Sequence, residues 1–138
     1  MGKINLSKVI LGGIIGGVAY FFAGYLVHMV LFKSASEAMM SSGMMKAASA
    51  STLVPAFILG AIISTLGTYT YALARPRLGA SYASAFQVAL LVGLLIGIFH
   101  GGSAMIWMAN SDMSTMGFVA GLIMPAVGTF VGAWVYTE

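Results

Sequence analysis

Apolar residues fill four long stretches of this chain, about residues 9–32, 53–74, 83–108 and 117–136, and every Lys, Arg, Asp and Glu falls between or beyond them. Each stretch is long enough to cross a hydrocarbon core of roughly 30 Å as a helix rising about 1.5 Å per residue. A charge at the bilayer centre costs roughly 2.5 to 3.5 kcal/mol on insertion scales, so this exclusion of charge identifies lipid as the solvent. The pattern predicts an all-α integral membrane four-helix bundle, with residues 1–138 forming one transmembrane domain. The first apolar run is too long for the hydrophobic region of a cleaved signal peptide, so it is expected to be a retained anchor behind Lys3 and Lys8.

Two connectors carry local signals. Ser34-Ala35-Ser36-Glu37 has the spacing of a capping box and, with Met39, Met40, Met44 and Met45 after it, predicts a short interfacial helix in the first outer loop. Arg75-Pro76-Arg77-Leu78-Gly79 is expected to be a tight turn, because proline disfavours helix at the residue before it and glycine permits a reversal. Lys3, Lys8, Arg75 and Arg77 then share one side of the membrane, against Lys33 and Lys46 on the other, which places both termini in the cytoplasm. Tyr69, Tyr71, Tyr82, Trp134 and Tyr136 are expected to form the inner aromatic belt, and Trp107 to lie near the outer one.

Composition removes several classes of function. With 60% hydrophobic and 7% charged residues and a mean hydropathy of +1.01, there is no room for a separate water-exposed catalytic domain. The chain has no cysteine, which excludes disulfides, thiolate metal sites and cysteine nucleophiles. No carboxylate or Ser-His-Asp arrangement lies within the spans, so an enzyme is not expected. The formal charge of +3 sits at span ends and reads as topology rather than a nucleic-acid footprint.

Three residue types carry the candidate chemistry. Glycine recurs at helical spacing as Gly13, Gly17 and Gly24 in the first span, Gly93 and Gly97 in the third, and Gly121, Gly128 and Gly132 in the fourth. Such rows let helices approach closely, and a surplus of them suggests contacts with lipid, other membrane subunits or a second copy of the chain. His28 and His100 fall at similar depth on those rows, where imidazoles suit axial ligation of haem or a chlorophyll-type pigment, or a plain hydrogen bond to a nearby carbonyl. Methionine clusters at the outer side, and the pairs Met40/Met44 and Met105/Met108 offer soft thioethers for Cu(I), or simply adaptable packing. Pro55 and Pro125 sit in similar Val/Met-Pro-Ala contexts at nearly the same offset as the histidines, which hints at a duplicated helical hairpin. Pro125 is expected to kink the fourth helix.

The opening Met1-Gly2-Lys3-Ile4-Asn5 with Val9-Ile10-Leu11-Gly12-Gly13, the segment Tyr71-Ala72-Leu73-Ala74-Arg75-Pro76-Arg77-Leu78-Gly79, and the ending Gly132-Ala133-Trp134-Val135-Tyr136 resemble an uncharacterised family of small bacterial four-span membrane proteins. The resemblance covers the inner ends of all four helices and implies an all-helical protein of the bacterial inner membrane. It implies no activity. Members of that family carry a polar, often acidic, patch midway along the first helix, where this chain has Tyr20 to Tyr25, and they do not share His28 or His100 as a motif. Three functions follow from these readings. The first is a non-catalytic accessory or scaffold subunit of a larger membrane complex, such as an energy-transducing one. The others are a small transporter or channel for a soft metal, and a haem- or pigment-bearing electron-transfer or photosynthetic subunit.

Overall fold

The computed structural model describes residues 3–107 and 111–136. The described chain is helical, with α1 (Leu6–Leu26), α2 (Lys33–Ser41), α3 (Ala50–Leu78), α4 (Tyr82–Trp107) and α5 (Ser111–Tyr136). A π-helical turn, Val27–Leu31, extends α1, so that Leu6–Leu31 forms one span. The four long helices are each apolar enough to cross a membrane, and α2 is the short helix of the first connector. At about 1.5 Å per residue the 26 to 29 residues of each span exceed the hydrocarbon thickness, so helix ends project into the headgroup layer.

Those projecting ends revise the expected boundaries. The α3 helix begins at Ala50 behind a capping box in which Ser49 and Thr52 satisfy each other's backbone amides, and it continues through Pro76 to Leu78. The expected turn at Arg75-Pro76-Arg77 is therefore the last turn of the helix. Pro76 forfeits one backbone bond there, but Arg75 and Arg77 favour the negative end of the helix dipole, and Arg75 lies over the Tyr136 ring at 5.8 Å. Gly79, at φ +83°, makes the reversal. The α5 helix starts six residues before the expected position, with Asp112 in its first turn, and stays helical through Pro125.

The capping box expected at Ser34 is also absent. The π turn leads almost directly into α2, so the Phe32 carbonyl, one residue before α2, already receives the Ser36 amide at 2.9 Å. Ser36 is instead fully buried, and Glu37 faces solvent opposite Lys33 at 3.9 Å.

The packing places small residues inside and large ones outside. Ile10, Ile14, Val18 and Phe22 of α1, Leu59, Ile62 and Leu66 of α3, and Leu91, Leu95 and Ile98 of α4 are exposed. The buried apolar residues are mostly Ala and Val, beside a row of buried glycines. Apolar side chains gain little by exchanging lipid for protein, so helix association depends on close backbone approach and the dispersion contacts it allows. Here α1, α3 and α5 meet in a small-residue junction. A side chain at Gly12 or Gly16 would run into the Gly132 or Gly128 carbonyl of α5, and one at Gly17 would meet Ala61 of α3. The α4 helix packs on α5 through Gly93, Gly97 and Gly121.

Hydroxyls complete this junction. Thr65 faces Gly13, Ser64 faces Gly128, Thr68 faces Gly132 and Thr129 faces Gly67, each oxygen lying where a glycine side chain would begin. That geometry suits weak Cα–H···O contacts between helices. Ser64 and Thr129, whose hydroxyls have no conventional partner, therefore still meet polarised C–H groups.

At the end that carries both termini, Val9, Tyr71, Ala72, Ala85, Val88, Ala133 and Tyr136 form a buried cluster. Tyr71 and Tyr136 meet edge to face at 6.3 Å, and the Asn5 amide approaches the Tyr136 hydroxyl at 3.4 Å. These two tyrosines belong to the core rather than to the expected aromatic belt, while Tyr69, Tyr82 and Trp134 are exposed. The chain ends and the α3–α4 turn thus lie at one end of the bundle, and α2 lies at the other. The hairpin repeat suggested by the proline motifs has uneven surroundings, since Pro55 is exposed and Pro125 buried.

Gly16→Val is expected to destabilise the bundle by about 1 to 3 kcal/mol through overpacking at the α1–α5 contact. Gly102→Ala, whose added carbon would meet nothing within 4 Å, is expected to change stability by less than about 0.5 kcal/mol. Thermal unfolding of both variants in the same detergent checks the difference.

Candidate functional site

Near the α2 end the bundle is open. The α1 and α4 helices both pack on α5 but make no extensive contact with each other. Between them lies a cavity of about 500 Å³. Among the described residues, α3 contributes nothing to its lining, because that helix sits on the other side of the α1–α5 contact.

The floor is built by glycine contacts. Tyr20 of α1 lays its ring against Gly60 of α3, and the Met124 methyl of α5 occupies the notch left by Gly24 of α1. Both side chains line the cavity. One wall is the smooth face of α5 made by Gly117, Ala120 and Gly121. Pro125 lacks the amide that would bond the Gly121 carbonyl, so one acceptor on this wall lacks its helical partner. The opposite wall is α4, through Ile96, His100, Ser103 and Ala104. Phe99 and Trp107 also line it and are 71% and 84% exposed, so the cavity is open beside these two apolar side chains.

The α2 helix covers the end. It contributes Met39 to the lining, and its buried Ser36 hydroxyl approaches the buried Met116 sulfur of α5 at 3.9 Å. Ser114 ties the start of α5 to α4 by donating to the Gly101 carbonyl at 2.8 Å.

Both sequence-derived histidines line this one cavity. His28 sits inside the π-helical turn, a distortion that is frequent at functional sites. Its Nδ1 is buried and has no hydrogen-bond partner. His100 is more exposed than its expected position on the glycine face implies, since that face continues through buried Gly101. Its Nδ1 lies 3.0 Å from the Ile96 carbonyl of the same helix. A carbonyl only accepts, so in the neutral imidazole the proton resides on Nδ1 and Nε2 keeps its lone pair.

The methionines are distributed differently from the expected set. Met39, Met113, Met116 and Met124 line the cavity. Met44 borders a smaller pocket of about 160 Å³ beneath α2, also lined by Met39 and Met113. Met40 lines neither pocket, Met105 is 78% exposed, and Met108 lies outside the described residues. Met113 and Met116 belong to the outer methionine cluster but escape the candidate ligand pairs because they fall before the expected start of the fourth helix. With the helix begun at Ser111, Met113, Met116, Ala120 and Met124 fall on one face at helical spacing. Tyr20 is marked in the sequence only as the start of the segment that replaces the polar patch of the resembling family.

The glycine rows identified in the sequence are used inside the bundle. Gly13, Gly17, Gly24, Gly93, Gly97, Gly121, Gly128 and Gly132 each face another helix of this chain. The cavity, rather than a bare glycine face, is therefore the distinctive surface. Its lining holds no Lys, Arg, Asp or Glu among the described residues, and no three His, Asp or Glu side chains gather into a metal cluster there.

Comparison of the chain with family models, curated proteins and solved structures gives no match.

Proposed function

We propose that this protein is a non-enzymatic subunit of the bacterial inner membrane that takes a lipid-soluble molecule from the bilayer into the cavity between α1, α4 and α5. The carrying observation is the cavity itself: about 500 Å³, apolar, without Lys, Arg, Asp or Glu among its described lining, open beside Phe99 and Trp107, and furnished with two imidazoles. Specific ligand sites are mostly apolar with a few well-placed polar groups, and this one follows that rule. The exposed apolar exterior allows docking onto a larger membrane complex, for which the protein would hold or present the ligand. The resemblance of the helix ends to a bacterial four-span family, together with the basic residues at the termini end, supports the bacterial membrane and a cytoplasmic location for both termini.

A second reading rests on the four thioethers around the same cavity. Met39, Met113, Met116 and Met124, with His28, supply soft ligands for Cu(I), which would make the protein a copper-handling membrane component.

Purification in native-lipid nanodiscs, followed by solvent extraction and mass spectrometry, is expected to recover one lipophile enriched over bulk lipid. Ala120→Phe, which fills the α5 wall, is expected to lose it. Equal recovery from both proteins rejects the cavity as its site. For copper, loading with Cu(I) is expected to give about one ion per chain if the thioethers form a site. A Met39, Met113, Met116 and Met124 to Leu replacement that leaves this stoichiometry unchanged rejects the second reading. For sidedness, single cysteines placed at Lys3 and Arg77 are expected to react with an impermeant maleimide only from the cytoplasmic side, and one at Met44 only from the outside.

A further inference from the structure

We propose that the molecule held in the cavity is a lipid-soluble quinol, a neutral ring with hydroxyls at opposite ends and an apolar tail, bridging His28 of α1 and His100 of α4. The inference rests on the cavity reading above and goes further by naming the ligand class.

Charge narrows the candidates first. The described lining carries no formal charge, so fatty acids, phospholipid headgroups and carboxylate-bearing macrocycles would enter without a counterion, at high desolvation cost. A neutral lipophile avoids that cost. Access narrows them next, because the exposed rim at Phe99 and Trp107 opens toward the bilayer, where a tailed ring can enter while its tail remains in lipid.

The polar groups then select the ring. His28 and His100 come from two helices that make no extensive contact with each other, so a ligand that uses both reaches across the cavity between them. His100 bonds the Ile96 carbonyl through Nδ1 and offers a lone pair at Nε2, which accepts from a hydroxyl and gains nothing from a carbonyl. His28 lines the cavity, and its buried Nδ1 has no partner that fixes the tautomer, so Nε2 can present either a donor to a carbonyl or an acceptor to a hydroxyl. The pair therefore discriminates between redox forms: a quinol satisfies both imidazoles, whereas the corresponding quinone satisfies His28 alone. The smooth wall of Gly117, Ala120 and Gly121 gives a planar ring a surface to lie against.

Trp107 at the rim supplies the readout. In a Trp134→Phe background, in quinone-free phosphatidylcholine nanodiscs, a decyl-substituted benzoquinone is expected to quench Trp107 saturably, and the matching benzoquinol is expected to displace it. The quinol should bind about tenfold more tightly than the quinone, the ratio expected for one additional hydrogen bond of about 1.4 kcal/mol. His100→Phe should remove that preference while leaving quinone affinity within about twofold, and His28→Phe should weaken both forms about tenfold. Circular dichroism and gel filtration establish that each variant is folded. Because His100 is exposed, its variant alone still decides the preference if the His28 variant fails to fold. Quenching that does not saturate, or a preference that survives His100→Phe, overturns the quinol assignment. If the extracted lipophile is lost in Ala120→Phe yet the wild type binds neither benzoquinone nor benzoquinol, the ligand class is wrong and the cavity reading stands. If no lipophile is enriched and neither probe binds, both fail.

Discussion

The fold depends on backbones touching. In lipid there is no hydrophobic gain from bringing Leu or Ile of one helix against another, so cohesion comes from places where small side chains let main chains approach. The contacts of Gly12 and Gly16 with the Gly132 and Gly128 carbonyls, and of Gly121 with Gly97, are of this kind. Opposite-facing hydroxyls strengthen the arrangement by meeting glycine Cα–H groups. The large apolar residues remain outside, where lipid accepts them at no loss.

The same constraint creates the cavity. Where glycine lines up with glycine, the helices close, and where the pattern fails they separate. On α4 the tight row runs Gly93, Gly97, Gly101 toward α5, so α4 is drawn to α5 and away from α1. Toward the α2 end, α1 replaces its small residues with the bulky ones of the π turn. The gap between α1 and α4 is then filled from its edges by Tyr20 and the methionines, whose flexible side chains adapt to irregular space. The two imidazoles occupy this gap because it is where their helices diverge.

The α2 helix gives the site an end. Without a conventional loop between the π turn and α2, the chain folds directly across the mouth of the bundle and inserts Ser36 and Met39. Methionine on both sides of that closure, from α2 and from α5, allows repacking without breaking a directional bond. A cavity covered at one end and open at its side suits a ligand that arrives through the bilayer rather than from water.

Sequence by itself determined the solvent, the four crossings, the short helix after the first, and the glycine rows, because each is a one-dimensional property of apolar length, charge placement or helical spacing. It also marked His28 and His100 as unusual residues for their surroundings. It misplaced the helix ends at Arg75–Leu78 and before Gly117, since hydropathy marks where hydrocarbon begins while backbone hydrogen bonding continues into the headgroup layer. That error hid the face shared by Met113, Met116 and Met124. Which helices touch, that Tyr71 and Tyr136 turn inward, and that both histidines border one cavity were decided by tertiary structure alone, because the contacts join helices whose relative rotation no single-helix pattern contains.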